Sequence, residues 1–180
     1  MKIFHLPNIY VIGKSEKHLE IKKQLLNLID TSPYVSFNGV SKTDYNVDSK
    51  ITRPYADLFF FEILKPFIEQ FCVTFNGQSF EVYNFWFQQY HQGSSMRWHV
   101  HPKSNYTGVY YLEYPHDIKT EILDLKTKKI IPLETITEGD FLIFPSNLVH
   151  RAPTNTEKER KTIISFNFDI LEYNEFTNIR

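Results

Sequence analysis

Cysteine is almost absent from this chain. Its 180 residues include a single cysteine, Cys72, so no disulfide can form within the chain. A zinc site built from several thiolates is excluded for the same reason. So little cysteine is typical of proteins that work in a reducing compartment.

An excess of charge and long apolar runs are also absent. The 20 basic and 21 acidic residues leave a formal net charge of -1, which gives no reason to expect a nucleic acid or an acidic membrane surface as a partner. The N-terminal segment, residues 1–7, lacks the apolar core of a signal peptide, and no apolar run approaches the roughly 20 residues that span a bilayer. We therefore expect a soluble, cytoplasmic protein.

Apolar residues, by contrast, are abundant, and their spacing changes along the chain. Hydrophobic residues make up 42% and aromatic residues 16%, which is ample for a packed core, and the length favours one domain over residues 1–180. Helical spacing predicts one helix from Glu16 to about Thr31 and a second from near Pro54. From Phe80 onward the period is two, which predicts strands at 80–90, 97–101, 106–112, 120–125, 129–133, 141–144 and 161–169. The fold class that we predict is mainly β: a double-stranded β-helix, or jelly-roll, of about eight strands over residues 80–170, with N-terminal helices in residues 1–79 as a buttress.

Three histidines follow or occupy these predicted strands. His99 and His101 are two residues apart, so on a strand their side chains point the same way. His150 follows the strand-like run 141–144, and imidazole is the commonest protein ligand for iron, nickel, copper and zinc. A His-x-His pair alone is more often structural, but a third histidine placed after another strand favours a ligand set. We predict that the three side chains bind one metal ion.

Two segments resemble the paired motifs of cupins, which have jelly-roll folds. The first is Gly93 followed by the histidine pair, and the second is Gly139 followed by Pro145 and His150. The glutamate that follows the histidine pair in cupins is absent, and Asn147 stands where cupins place glycine.

The chain more closely resembles the Fe(II)/2-oxoglutarate-dependent oxygenases, and among them a branch found in bacteria and phages. The resemblance implies a jelly-roll core, an Fe(II) ion and 2-oxoglutarate as cosubstrate, which is converted to succinate and CO₂ while a C–H bond of the substrate is hydroxylated. It extends over about residues 80–170 and rests on the segments His99–Pro102, Thr107–Leu112, Glu138–Ser146 and Ser165–Phe168, together with His150 and Arg160.

In these oxygenases the iron ligands are His-x-Asp/Glu and a distal histidine. His99 matches the first histidine and His150 the distal one, whereas His101 stands where the carboxylate usually is. Three sets remain open: three histidines, two histidines with solvent, or two histidines with a carboxylate from elsewhere. The string His-x-His-Pro favours three histidines, and replacing a carboxylate with a neutral imidazole leaves the site more positive, which favours an anionic co-ligand such as 2-oxoglutarate.

The resemblance also assigns residues to the cosubstrate. Arg160 and Thr162, which follow His150, are similar to the family's Arg-x-Ser pair and share one face of a strand. The resemblance implies that they lie inside the barrel and hold the far carboxylate of 2-oxoglutarate, since a guanidinium matches a carboxylate with two parallel hydrogen bonds. Tyr110, Tyr83 and Asn167 are further candidates for contact with the cosubstrate.

Two other functions fit the same residues. One is a three-histidine cupin-type metalloenzyme that uses no 2-oxoglutarate, in which Arg160 would bind a carboxylate of the substrate. The other is a non-catalytic jelly-roll that binds a ligand. A requirement for 2-oxoglutarate separates these from the oxygenase, while the substrate, a small molecule or a peptide, and the oligomeric state have no signature in the sequence.

Overall fold

Two helical segments lie in the N-terminal part of the chain. A computed structural model describes residues 10–37 and 41–175, so residues 1–7, in which we expect no signal peptide, lie outside the described residues. Both helices begin within a few residues of their predicted starts, and no helix in the described ranges is long and apolar enough to cross a membrane. The helices are α1 (His18–Asp30), α2 (Ala56–Phe59) and α3 (Lys65–Thr74), the last two joined by a π-helical turn (Phe60–Leu64).

Strands are the commonest regular element of the described chain. They form two antiparallel sheets, a large one in the order β1-β9-β6-β11-β4-β3-β2 and a small one in the order β5-β10-β7-β8. The mainly β, jelly-roll fold class predicted from the sequence is confirmed. The strands are β1 (Val11–Lys14), β2 (Val35–Phe37), β3 (Ser41–Thr43), β4 (Gly77–Tyr90), β5 (Met96–His99), β6 (Tyr106–Glu113), β7 (Glu121–Asp124), β8 (Lys129–Ile130), β9 (Asp140–Pro145), β10 (His150–Ala152) and β11 (Lys161–Tyr173).

The N-terminal 79 residues are not purely a helical buttress. Strand β1 pairs with β9 and β3 pairs with β4, so the large sheet recruits strands from before residue 80. These strands are only three or four residues long, too short for a period of two to stand out in the sequence. Strand β10 was missed for the same reason.

Two apolar clusters lie on opposite faces of the large sheet. Between this sheet and the helices, Leu25 and Phe59 belong to one cluster with Phe141 and Phe166. Between the two sheets, Ile122 of the small sheet belongs to a second cluster, with strand residues of the large sheet. The central strands β6, β9 and β11 therefore bury both of their faces over most of their length.

The two clusters fix the direction of the side chains on β11. Ile164 and Phe166 belong to the cluster under the helices, whereas Ile163 belongs to the cluster between the sheets. Because side chains alternate along a strand, odd-numbered residues from Lys161 to Asn167 face the small sheet and even-numbered ones face the helices.

Candidate metal centre

The fold brings the three histidines together. Strands β5 and β10 are neighbours, and His99 stands opposite His150 in their register. His101 lies two residues beyond the end of β5, where its backbone N–H donates to the carbonyl of Ser146 at 2.9 Å. One nitrogen from each ring lies within 4.8 Å of the other two, so small side-chain rotations bring all three to the roughly 2 Å bond lengths of a bound metal ion.

Hydrogen bonds fix the tautomers of His99 and His150. The Nδ1 atom of His99 lies 2.7 Å from the carbonyl oxygen of Arg97, and that of His150 lies 2.8 Å from the carbonyl oxygen of Leu148. A carbonyl oxygen only accepts, so each Nδ1 carries the proton and each Nε2 keeps its lone pair. Partners of this kind commonly orient histidines that bind metals.

The third histidine is oriented by a side chain. His101 Nδ1 lies 2.6 Å from Asn167 Oδ1, which also accepts a hydrogen bond from Thr107 Oγ1 at 2.9 Å. The amide of Asn167 donates through Nδ2 to Asn84 Oδ1 at 2.8 Å, which leaves Oδ1 toward the histidine. His101 therefore also presents Nε2 as an acceptor.

Burial favours the neutral form of His101 and of His150. It lowers the pKa of His101 and lowers that of His150 to about 3, and the neighbouring imidazoles act in the same direction. A neutral imidazole is the form that binds a metal ion. His101 and His150 therefore each keep a nitrogen lone pair available to a metal ion at neutral pH.

A cavity of about 760 Å³ between the two sheets contains the three histidines. None of the described side chains that line it is a carboxylate. The described part of the chain thus supplies no aspartate or glutamate to replace His101 as a third ligand. The large-sheet wall carries Trp86, Gln88 and Tyr90 from β4 and Ile163 and Ser165 from β11.

Arg160 does not lie in this cavity, and the prediction that it lies inside the barrel is wrong. Its Nε donates to Glu113 at 2.8 Å, and its Nη1 donates to Asp30, the last residue of α1, at 2.8 Å. Even-numbered positions at this end of β11 face the helices, so the guanidinium ties helix α1 to the sheet.

Thr162 and Tyr110 lie on the same side as Arg160. The Thr162 hydroxyl donates to Glu113 at 2.7 Å, and the Tyr110 hydroxyl lies 2.7 Å from Nδ1 of the buried His18 of α1. Neither side chain lines the cavity with the histidines. The structure therefore does not bring these two predicted cosubstrate residues to the site.

Two of the predicted residues, Asn167 and Tyr83, do line the cavity. Asn167 lies at the histidines and orients His101. Tyr83 is 45% exposed, and its hydroxyl donates to Asp169 at 2.8 Å, which places it at the mouth.

Sequence reasoning missed Lys161, which is 2% exposed. Its Nζ donates to the carbonyl of Ile118 at 2.7 Å and lies 4.9 Å from the ring centre of Tyr90, a cavity residue. No described carboxylate forms an ion pair with it, and burial lowers its pKa to about 8. The sequence does contain a signal for the direction of this side chain. Polar and aromatic residues alternate in Ser165-Phe166-Asn167-Phe168, and extending this alternation backward puts Lys161 on the face of Asn167 and Arg160 on the face of the phenylalanines.

Comparison with known proteins identifies the fold through structure alone. No protein-family model and no curated protein sequence matches the chain. A 2OG-Fe(II) oxygenase family oxidoreductase from Burkholderia pseudomallei aligns with a TM-score of 0.69 at 9% identity, covering 92% of this chain and 86% of its own.

Two further solved structures hold 2-oxoglutarate. HygX from Streptomyces hygroscopicus, with nickel and 2-oxoglutarate bound, aligns with a TM-score of 0.62 at 12% identity, covering 96% of this chain and 85% of its own. The viral collagen prolyl hydroxylase of Paramecium Bursaria Chlorella virus-1, a complex with 2-oxoglutarate, aligns with a TM-score of 0.61 at 13% identity, covering 94% and 98%. At such low identity the likeness concerns the fold. The chain therefore has the jelly-roll fold of the Fe(II)/2-oxoglutarate-dependent oxygenases, which confirms at the level of the fold the resemblance identified in its sequence.

Proposed function

We propose that this protein is an Fe(II)/2-oxoglutarate-dependent dioxygenase that hydroxylates a small molecule or a peptide. The observation that carries the proposal is the set of three imidazoles, each of which donates Nδ1–H to an oxygen and leaves its Nε2 lone pair free beside the other two. The neighbour HygX supports it, because its structure holds both nickel and 2-oxoglutarate. Nickel generally binds nitrogen and oxygen ligands more tightly than Fe(II) does.

The metal would be held by His99, His101 and His150. Three protein ligands leave positions open on a divalent ion, and the bound ion would supply oxygen activation there. Three neutral imidazoles add no negative charge to the ion, so an anionic co-ligand is favoured. Asn167 would keep His101 in the orientation that the ligand set needs.

Lys161 would hold the far carboxylate of 2-oxoglutarate in place of Arg160. It is a buried cation without an anionic partner among the described side chains, a state that a bound carboxylate relieves. Lys161 pairs with Tyr90 in the register of β11 and β4, whereas the ring of Trp86, four residues earlier on β4, lies 5.6 Å from that of His101. Lys161 does not itself line the cavity, but its ammonium lies 4.9 Å from the ring centre of Tyr90, which does, so a carboxylate that reaches past this ring would meet the ammonium.

The remaining walls would keep water from the reacting groups. Val109, Tyr90 and Ile163 present apolar surface to the cavity, and all three are more than nine-tenths buried. A dry site strengthens the attraction between Lys161 and a carboxylate.

Metal analysis together with 2-oxoglutarate binding tests the proposal. Purified protein should hold one divalent metal ion. The variants His99→Ala, His101→Ala and His150→Ala should lose it, and His91→Ala, outside the cavity, should keep it. Anaerobic protein loaded with Fe(II) should bind 2-oxoglutarate and, when O₂ is admitted, form succinate slowly without added substrate.

The outcomes separate the three functions. Metal binding without affinity for 2-oxoglutarate at millimolar concentration would favour the cupin-type metalloenzyme. A wild-type protein that binds neither metal nor 2-oxoglutarate would favour the non-catalytic binding protein. Unchanged metal content in His99→Ala and His150→Ala would remove the ligand assignment itself.

A further inference from the structure

The wall of the cavity contains a buried amide without a partner. Gln88 lies on β4 and is 2% exposed, and its Nε2 atom has no hydrogen-bond partner among the described residues. Leaving a buried donor unpaired costs free energy, and native structures contain few such groups. The side chain lines the cavity that holds the histidines, so a ligand in that cavity can accept its N–H.

The register of the sheet locates this donor along the wall. Gln88 stands opposite Ile163, whose side chain has no acceptor. It lies two residues from Tyr90, which pairs with Lys161, and two residues from Trp86, which lies beside His101. Two residues of strand span about 7 Å, so Gln88 lies between Tyr90, whose ring is beside the Lys161 ammonium, and Trp86, whose ring is beside His101.

We propose that Gln88 is a ligand-positioning residue that donates Nε2–H to an oxygen of the 2-oxo dicarboxylate bound beside the three histidines. This inference rests on the proposed function, and it adds a contact that neither the motifs nor the fold assigns. No described protein group accepts this N–H, so an oxygen of the ligand can do so without breaking a hydrogen bond within the protein.

The adjacent residue offers a matched control. Gln89 is also 2% exposed, but its Nε2 donates to Asp30 Oδ1 of helix α1 at 2.8 Å. It therefore faces the helices, and its amide is satisfied without any ligand. The same substitution at the two positions removes a ligand contact in one case and a structural hydrogen bond in the other.

The test compares Gln88→Leu, Gln89→Leu and Lys161→Met with wild type under anaerobic conditions. For each protein, Fe(II) content, the Kd of 2-oxoglutarate and the thermal midpoint of the ligand-free form are measured. Gln88→Leu should bind 2-oxoglutarate about tenfold more weakly, the loss expected for one hydrogen bond to a charged group. It should keep its Fe(II), and its thermal midpoint should equal or exceed that of wild type. Gln89→Leu should have a lower midpoint and an unchanged Kd.

The results distinguish the inference from the function beneath it. If Gln88→Leu binds 2-oxoglutarate within twofold of wild type while Lys161→Met loses binding, the role of Gln88 is overturned and the proposed function stands. If wild-type protein loaded with Fe(II) does not bind 2-oxoglutarate, both are overturned. A tenfold loss in Gln88→Leu with a maintained midpoint supports the inference, because a merely structural glutamine would lower the midpoint instead.

Discussion

Replacing Lys161 with methionine should make the ligand-free protein more stable and its ligand binding weaker. Methionine keeps much of the apolar stem and removes the charge. Burial lowers the pKa of Lys161 from its usual 10.5 to about 8. At about 1.36 kcal/mol for each pH unit between these values, keeping the ammonium charged in the folded state costs about 3 kcal/mol.

The sign of this effect depends on pH. Between pH 8 and 10.5 the folded state binds fewer protons at Lys161 than the unfolded state does, so the stability of the wild type rises with pH across that window. Below pH 8 both states are protonated and the full cost is present. The advantage of Lys161→Met should therefore be largest near pH 7, at up to about 3 kcal/mol, and should shrink as the pH approaches 10.5.

The effect on 2-oxoglutarate should have the opposite sign. Removing one partner of a desolvated charge pair costs about 2–5 kcal/mol, so the Kd of Lys161→Met should rise at least about 30-fold. In wild type the affinity should be constant below pH 8 and decline above it, because the free protein then loses the proton that the carboxylate needs. Lys161→Met should not show that decline.

Urea unfolding of the ligand-free protein at pH 7 and 9.5, with anaerobic calorimetry of 2-oxoglutarate binding, measures both effects. The matched control is Arg160→Met, which removes the adjacent cation from the other face of the sheet. It should lower the free energy of unfolding, because Asp30 and Glu113 lose their partner, and it should leave the Kd unchanged. If Arg160→Met weakened 2-oxoglutarate binding and Lys161→Met did not, the assignment of the faces of β11 to the two cations would be refuted.

Two further substitutions test other parts of the structure. Asn167→Ala removes the acceptor that orients His101, so metal affinity should fall about 10- to 100-fold. A competition titration with a chelator measures this loss, and the circular dichroism spectrum should be unchanged. Undiminished affinity would show that His101 needs no such support. Gly139→Ala places a Cβ atom 2.7 Å from Cγ of the buried His18, on a backbone with φ of +87°. It should therefore lower the free energy of unfolding in urea by about 1–3 kcal/mol. A variant as stable as wild type would contradict this packing.

Some of the site could be predicted from the sequence because its residues are close along the chain. His99 and His101 are near neighbours on an extended segment, so their shared direction follows from the pleat of a strand. The run before His150 is apolar and is followed by a turn, so a strand end could be expected there. The assignment of α1 and of the long strand β4 rests on the same local periodicity.

Whether Arg160 or Lys161 is the cation proposed to bind 2-oxoglutarate depends on which face of β11 packs against the helices. The sequence determined that alternate residues of a strand face opposite sides, that three histidines lie on or just after predicted strands, and that the core is mainly β. The tertiary structure decided which side is the cavity, because only the packing of Phe166 and Phe168 under the helices leaves Lys161 and Asn167 facing the small sheet. It also decided that Gln88 faces the cavity while Gln89 pairs with Asp30. Two adjacent residues of one type acquire different roles because a strand presents two faces, and the surroundings of each face come from distant parts of the chain.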